Sequence, residues 1–350
     1  MKNKYIIDVK FQETFDATSK ARKDINDILV KEEFSVKFIN IPKANSYKEL
    51  YKNIGVTYKQ LVSILDEVED KSTLLFQYPW DSFSYKFSKT ILKYKKNKNL
   101  KTIVLIHDLN SLRSQSFFGR LYYKKYIKEY KYLNNFDYVI CHNNEMKKLL
   151  VNNKVNKAKI IELGVFDYLT DTDNSIDSGK YKSVSLAGNL SREKSAYVYD
   201  LCAINQKEYK LELFGVGFEK GDYKNVTYNG AFPPSELNSH INFGFGLVWD
   251  GNSIDKLDGD FGKYEYYNNP HKLSLYLSCG IPVIVSKEAA ISKFVKKNNV
   301  GIVIDNLNNL PEVMKKITKR DYNKMLKNVS VISNKVKNGY YTIEAIKKCK

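Results

Sequence analysis

Cysteine is scarce in this chain of 350 residues, and the four present, Cys141, Cys202, Cys279 and Cys349, stand far apart. None is paired as Cys-x-x-Cys, and only Cys141 has a histidine beside it, so the spacing argues against a structural zinc site and against a disulfide framework. That usage suits a reducing, cytoplasmic compartment. Long apolar runs are missing as well. Thr102–Ile106 and Ile281–Val285 extend over five residues each, whereas a bilayer span needs about twenty. The start, Met1–Asp8, has charge but no apolar stretch of the length a secretory leader requires. There is no Gly-x-Ser-x-Gly elbow, no Gly-Lys-Ser/Thr phosphate loop and no His-Glu-x-x-His helix. Asp255-Lys-Leu-Asp258-Gly-Asp260 is dense in carboxylates but lacks the spacing of a calcium loop.

What is there describes a folded chain: 43% hydrophobic, 13% aromatic and 27% charged residues. Its length predicts about two domains. The formal net charge is +18, with +10 carried by residues 1–180 and +8 by the rest. A charge spread so evenly is not the stripe or tail of a nucleic-acid binder, and no nucleic-acid partner is expected. Lys, Asn, Tyr and Ile are abundant together, as in chains encoded by AT-rich genomes. The excess also suits a diphosphate-bearing substrate, or a peripheral contact with the anionic inner face of a membrane at most.

Short apolar runs alternate with helical patterns along the whole chain. Strands are predicted at Tyr5–Val9, Ser35–Ile41, Thr73–Gln77, Thr102–His107, Tyr138–Cys141 and Lys159–Leu163. Between them, Ala17, Ala21, Ile25, Ile28 and Leu29 recur at helical spacing within Asp16–Glu33, and Ser46–Glu69, Ser82–Tyr94, Phe117–Leu133 and Asn143–Asn152 follow the same style. The second half repeats the theme, with strands at Ser183–Ala187, Leu211–Phe214, Val226–Tyr228, Phe245–Trp249, Val283–Val285 and Ile302–Ile304. Its helices are predicted at Glu193–Leu201, Ser235–His240, Pro270–Ser278 and Ala289–Lys297. Strand–helix–strand alternation means parallel sheets covered on both faces. The fold class is therefore α/β, with two doubly wound domains in tandem: 1–168, a polar linker over 169–180, 181–319, and C-terminal helices over 320–350 broken near Gly339. Ligands of such sheets bind at the carboxyl ends of the strands, and a cleft between the domains is the default site.

Four segments carry chemistry. In Leu186-Ala-Gly188-Asn189-Leu-Ser-Arg192 a predicted strand gives way to a helix start. Free N–H groups there favour an anion, Gly188 allows close backbone approach, and Arg192 adds a forked donor. An ordinary surface turn is the plainer alternative. In Leu213-Phe-Gly215-Val-Gly217 a tight turn after a strand is the better account than a phosphate loop. The third is Tyr266-Tyr267-Asn268-Asn269-Pro270-His271-Lys272, leading through a helix to Gly280 and the strand Val283–Val285. Pro270 suits the first helical position and Asn268 or Asn269 its cap. Lys272 in the first turn opposes the helix dipole, which is poor for stability and apt for an anion held there. His271 taken alone reads as structural. The fourth is His107-Asp108 at a strand end, where either group can take a proton from a hydroxyl. Asp16, Asp81 and Gln77 are alternatives in the same half. Gly251–Lys263 reads as a mobile polar flap.

Phe245-Gly-Leu-Val-Trp249 followed by Asn268–Val285 resembles the GT-B glycosyltransferases. Within them the chain is most similar to the bacterial glucosyltransferases that extend GlcNAc on serine-rich-repeat adhesins and to the bacterial β-1,6-galactofuranosyltransferases. The likeness runs along most of the chain, through Thr18-Ser19, His107-Asp108, Gly188-Asn189 with Arg192, Lys272-Leu-Ser and Asn338-Gly-Tyr-Tyr-Thr342. It implies two Rossmann-like domains facing a central cleft, with a UDP-sugar donor in the C-terminal half and a saccharide acceptor, on a glycoprotein or lipid carrier, against the N-terminal half. The final helix would return to the first domain.

By the same resemblance Arg192 and Lys272 hold the diphosphate, Asn268 and Asn269 line the donor pocket, Tyr228 lies near the uridine and Thr18 reaches the nucleotide. Tyr267, Pro270 and His271 belong to the same donor segment, and Asp108 or His107 is the base. Retaining members carry paired glutamates, but the compared positions here are Phe243 and Leu275, which implies inversion. No metal and no cofactor beyond the donor sugar are expected. Relatives suggest a homo-oligomer. The competing expectations are a UDP-sugar epimerase of the same fold and a non-catalytic subunit of a glycosyltransferase complex.

Overall fold

The structure is a computed structural model, and it describes residues 3–10, 17–42, 46–80, 85–113, 129–173, 175–234 and 236–350. The chain divides into two compact units, Met1–Leu163 with Thr342–Lys350, and Gly164–Tyr341.

In the first unit, strands β1 (Lys4–Lys10), β2 (Phe34–Asn40), β3 (Thr73–Tyr78), β4 (Lys101–Ile106), β5 (Tyr138–Cys141) and β6 (Ile160–Glu162) form one sheet in the order β2-β1-β3-β4-β5-β6. Every neighbouring pair is parallel. Helices α1 (Ala17–Lys31), α2 (Tyr47–Glu67), α3 (Tyr85–Asn97) and α4 (Asn144–Asn152) connect them. The helical spacing seen in the sequence is the buried stripe of α1: Ala21, Ile25, Ile28 and Leu29 are all buried. Ser46 caps α2 by accepting from Glu49 N–H, and Asn143 caps α4 through Glu145 and Met146 N–H. Asp16 and Asp81 lie outside the described residues, as does most of the helix expected over Phe117–Leu133.

The second unit repeats the plan with β7 (Ser183–Asn189), β8 (Lys210–Val216), β9 (Val226–Tyr228), β10 (Phe245–Val248), β11 (Val283–Ser286) and β12 (Gly301–Ile304), in the order β12-β11-β10-β7-β8-β9. Its main helices are α5 (Tyr197–Ala203), α6 (His271–Ser278), α7 (Ser292–Asn298) and α8 (Lys319–Lys337), followed by α9 (Tyr340–Lys347). Helix α6 ends as the sequence predicts. Gly280, with φ +83°, allows its own N–H to reach Leu277 O and that of Ile281 to reach Tyr276 O, a Schellman closure. Helix α8 begins with a reciprocal box between Thr318 and Asp321.

Two glycines let backbones and rings meet. A Cβ on Gly215 would lie 1.7 Å from Gly188 O, so β7 and β8 can run together there only without side chains. Gly215 thus sits inside a strand rather than in the tight turn its sequence suggests. A Cβ on Gly246 would fall 2.0 Å from the ring of Tyr276. Tyr276 is fully buried and its hydroxyl accepts from Ala187 N–H at 2.8 Å. Gly246→Ala is therefore expected to destabilise by about 1–3 kcal/mol, the usual range for overpacking. A drop in the urea midpoint at unchanged slope checks this, and an unchanged midpoint refutes it.

The segment expected to link domains belongs to the second unit. Tyr168 N–H donates to Val336 O at 3.0 Å, Asp177 N–H to Asn242 O at 2.9 Å, and Lys337 Nζ to Thr172 O at 2.7 Å. Its polarity reflects a surface path that is hydrogen-bonded to its own unit. The tail divides differently too. Helix α8 packs on α6 within the second unit, and the residues that group with the first are Thr342–Lys350.

Candidate functional site

In a doubly wound sheet the ligand crevice opens where the strand order reverses. In the second unit that point lies between β7 and β10. Gly188 and Asn189 end β7; Trp249 and Asp250 follow β10. Helix α6 begins beside them, and a Cβ on Gly188 would touch Lys272 Cε at 3.5 Å. The separate motifs Gly188-Asn189 and Lys272 thus meet at one crevice. The absent side chain of Gly188, with φ +137°, keeps the backbone there open.

Lys272 donates to Asp250 Oδ1 at 2.7 Å and to Trp249 O at 3.2 Å. Its side chain keeps 20% exposure and that of Asp250 keeps 23%. Burial works against the ammonium charge, but the Asp250 carboxylate outweighs it and raises the lysine above its ordinary value. Lys272 is therefore a full cation at neutral pH, in reach of solvent, at the start of a helix. Tyr197 donates to the same Trp249 carbonyl at 2.8 Å. Behind the pair lies Glu265, fully buried, with neither carboxyl oxygen hydrogen-bonded. Burial holds its carboxyl well above the usual carboxylate range, the Asp250 charge adds to this, and Lys272 opposes it. Sequence reasoning missed Asp250, Glu265 and Tyr197. The signal for Asp250 was present, a carboxylate directly after a strand, the same pattern that singled out Asp108.

Several expected residues have other anchors. Pro270 stands at the cap of α6, with ψ 139°, not at its first helical position, and its side chain makes no capping hydrogen bond. Asn269, expected as a cap or pocket residue, is buried and donates to Gly164 O at 2.6 Å. His271 stacks on Phe166, with ring centroids 4.6 Å apart. Asn268 and Tyr267 lie on the same turn and are partly buried. Arg192 lies at the surface, where its Nε donates to Glu219 at 2.7 Å and its guanidinium lies 3.9 Å from the Tyr199 ring centroid. The structure does not pair it with Lys272. Tyr228 donates to Gly215 O at 2.9 Å and packs on Phe218. Thr18 is in the first turn of α1, and its side chain lies outside what is described.

The segment expected as a mobile flap is tied down. Trp249 Nε1 donates to Ser253 O at 3.0 Å, Asn252 N–H to Asp258 Oδ1 at 2.7 Å, and Leu307 N–H to Ile254 O at 2.7 Å. Among the described residues no three His, Cys, Asp or Glu side chains group so as to hold a metal ion, and no helix is long and apolar enough to cross a membrane.

The first unit has its own reversal point, between β1 and β3, and it is filled by a buried polar network. Arg22 Nη1 donates to Asp8 Oδ1 at 2.5 Å, and Nη2 to Pro79 O. Asn26 Nδ2 donates to Asp8 Oδ2 at 2.8 Å. Gln77 Nε2 donates to Asp8 Oδ2 at 3.1 Å and to Asn26 Oδ1 at 2.8 Å. Those donations leave Gln77 Oε1 facing His107 Nε2 at 2.6 Å. An amide oxygen accepts only, so His107 Nε2 carries a proton and donates it to Gln77. His107 is buried; Asp108, next along, is half-buried.

Two Rossmann-like domains in one chain are the architecture of the GT-B class, and solved structures of that class share the fold. Sucrose-phosphate synthase from Thermosynechococcus elongatus aligns over 99% of this chain and 98% of that one, with TM-score 0.62 and 14% identity. The lipopolysaccharide outer core galactosyltransferase WaaB aligns over 99% and 98%, with TM-score 0.60 and 11% identity. At such identities these show the fold alone.

The sequence relatives give the finer step. Residues 3–165 match the glucosyltransferase 3-like N-terminal domain and residues 184–349 the C-terminal domain of that family. The β-1,6-galactofuranosyltransferase WbbI of Escherichia coli (strain K12) is 32% identical over 336 residues, 93% of this chain and 92% of that protein. Glucosyltransferase 3 of Streptococcus gordonii is 26% identical over 286 residues, 81% of this chain and 80% of that protein. The chain belongs to the glucosyltransferase 3-like family and is a GT-B glycosyltransferase.

Proposed function

We propose that this enzyme transfers a hexosyl group, glucose, galactose or galactofuranose, from a UDP-sugar to a saccharide hydroxyl carried on a glycoprotein or a lipid. The observation that carries this is Lys272: a partly exposed cation at the start of α6, against the bare backbone of Gly188. A diphosphate suits that place, because the helix dipole and the ammonium both favour its charge. As the glycosidic bond breaks, negative charge grows on the leaving UDP, and a cation fixed in advance stabilises it without a metal. Arg192 would join once it releases Glu219. Inversion follows from a single displacement, with Asp108 or His107 taking the acceptor proton. The names of the curated relatives support the sugar class.

Thermal unfolding with UDP, GDP, ADP and no ligand tests the donor. A ligand at 100 times its dissociation constant adds about 2.7 kcal/mol, which is a shift of a few degrees for a chain of this size. UDP alone is expected to stabilise the wild type and to fail with Lys272→Ala. No shift with any nucleotide would overturn the donor and favour a non-catalytic subunit.

A further inference from the structure

A buried carboxyl without a hydrogen bond is costly in either charge state, and more so when ionised. Glu265 is such a group: none of its residue surface is exposed, and both carboxyl oxygens lack partners. It closes a short helical turn, with its N–H bonded to Gly262 O at 3.0 Å, and its carbonyl accepts from Ala290 N–H at 2.9 Å. Its backbone is therefore anchored on two sides, and its side chain is fully buried. Gly262, whose carbonyl accepts from the Glu265 N–H, lies against the strand end, where a Cβ on it would fall 2.7 Å from Asp250 O, and the charges of Asp250 and Lys272 both act on the Glu265 carboxyl. Tyr197 is committed to Trp249 O. Lys272 is committed to Asp250 and the same carbonyl. What remains is a neutral acid behind a charged pair whose members both reach solvent.

The arrangement has a consequence for ligand binding. When Lys272 turns to a diphosphate, Asp250 loses its cation and becomes a poorly paired carboxylate against the protein interior. That loss opposes binding. With Tyr197 committed to Trp249 O and Lys272 turned to the ligand, the acid O–H of Glu265 is the donor left in the cluster. We propose that Glu265 is a positioning residue for the donor: when Lys272 moves to the diphosphate, the Glu265 carboxylic acid donates a hydrogen bond to Asp250 and replaces the lysine. The proton stays on Glu265, no covalent bond changes, and the cluster exchanges one partner of Asp250 for another. A hydrogen bond to a charged acceptor is stronger than one between neutral groups, and it offsets the pairing that Lys272 gives up. This rests on the assignment of Lys272 to the donor diphosphate.

Three proteins, wild type, Glu265→Met and Glu265→Gln, are compared by calorimetric titration with UDP-glucose and UDP-galactose and by thermal unfolding. Glu265→Met removes an unpartnered buried acid and is expected to leave the melting temperature unchanged or raised, yet to weaken nucleotide-sugar binding about tenfold, equivalent to ~1.4 kcal/mol. Glu265→Gln keeps a donor in the same place and is expected to bind within about twofold of wild type, given such a donor's worth. A structural role predicts the opposite, altered stability with unaltered affinity. Methionine binding as tightly as wild type, or glutamine binding as weakly as methionine, would overturn the proposal. If the methionine variant does not fold, infrared difference spectra decide: adding UDP-glucose to wild type should shift a protonated-carboxyl band to lower frequency, and Glu265→Gln should lack it. Equal spectra would overturn the proposal. If wild type binds no nucleotide sugar while Lys272→Ala folds normally, the donor assignment itself fails.

Discussion

Replacing Lys272 by alanine is expected to lower turnover by about 10²–10³, the range seen when one preorganised donor to developing charge is removed. The ammonium stands at a helix start with solvent access, paired only to Asp250 and a backbone carbonyl. Its place on α6 gives it no stabilising role from the dipole, which disfavours a cation there. The fold should survive, with a melting temperature lowered modestly by the loss of the Asp250 pairing. The same change should weaken UDP binding less than it slows transfer, because charge on the leaving diphosphate increases along the reaction. Lys272→Arg should recover part of the rate, since it restores the charge but not the reach or compactness of an ammonium. Transfer of hexose from a UDP-sugar to an added saccharide, followed by product analysis, measures this. A rate within twofold of wild type would remove Lys272 from the chemistry.

The second large effect is on stability and lies in the first unit. Arg22 and Asp8 are both buried, with side-chain exposures of 4% and 2%. Removing one partner of such a pair leaves an uncompensated buried charge and typically costs about 3–5 kcal/mol. Arg22→Met is expected to fall in that range, because Asp8 keeps only the N–H donors of Asn26, Gln77 and Val9. The guanidinium also holds the carbonyls of Gln77 and Pro79, so its loss frees the end of β3. Adding Asp8→Leu should restore part of the loss, as contacting residues couple non-additively. Urea unfolding of the single and double variants checks both statements. A single variant as stable as wild type would mean that Arg22 carries no structural charge compensation. The network continues through Gln77 to His107, so slower transfer in Arg22→Met at permissive temperature would also reveal how far the imidazole depends on it.

Much of this was legible in the residues themselves. Apolar runs with a period of two or 3.6 are local facts, and they placed the strands of both sheets to within a residue or two. Gly280 marked the end of α6 because a positive φ is needed there and glycine supplies it without strain. Lys272 stood out because a cation in a helix's first turn is locally unfavourable, so its local environment alone raised the question of an anion. Other features misled for equally local reasons. Asp167–Lys180 is polar because it runs over a surface, and only its bonds to Val336, Asn242 and Lys337 show that it belongs to the second unit. Gly251–Lys263 has the composition of a loose loop, yet hydrogen bonds to its own residues and to Leu307 tie it down. Gly215 reads as a turn glycine, but the reason for it is a neighbouring strand.

The sequence by itself determined the class of fold, the order of the elements and the end of α6. Each follows from interactions among residues a few positions apart. Only the tertiary structure decided which groups meet: Gly188 with Lys272, Lys272 with Asp250, Asp8 with Arg22 and Gln77, and Gln77 with His107. Those pairings join residues separated by 14 to 84 positions. They come together because a doubly wound sheet brings distant strand ends to one crevice, which no local pattern encodes.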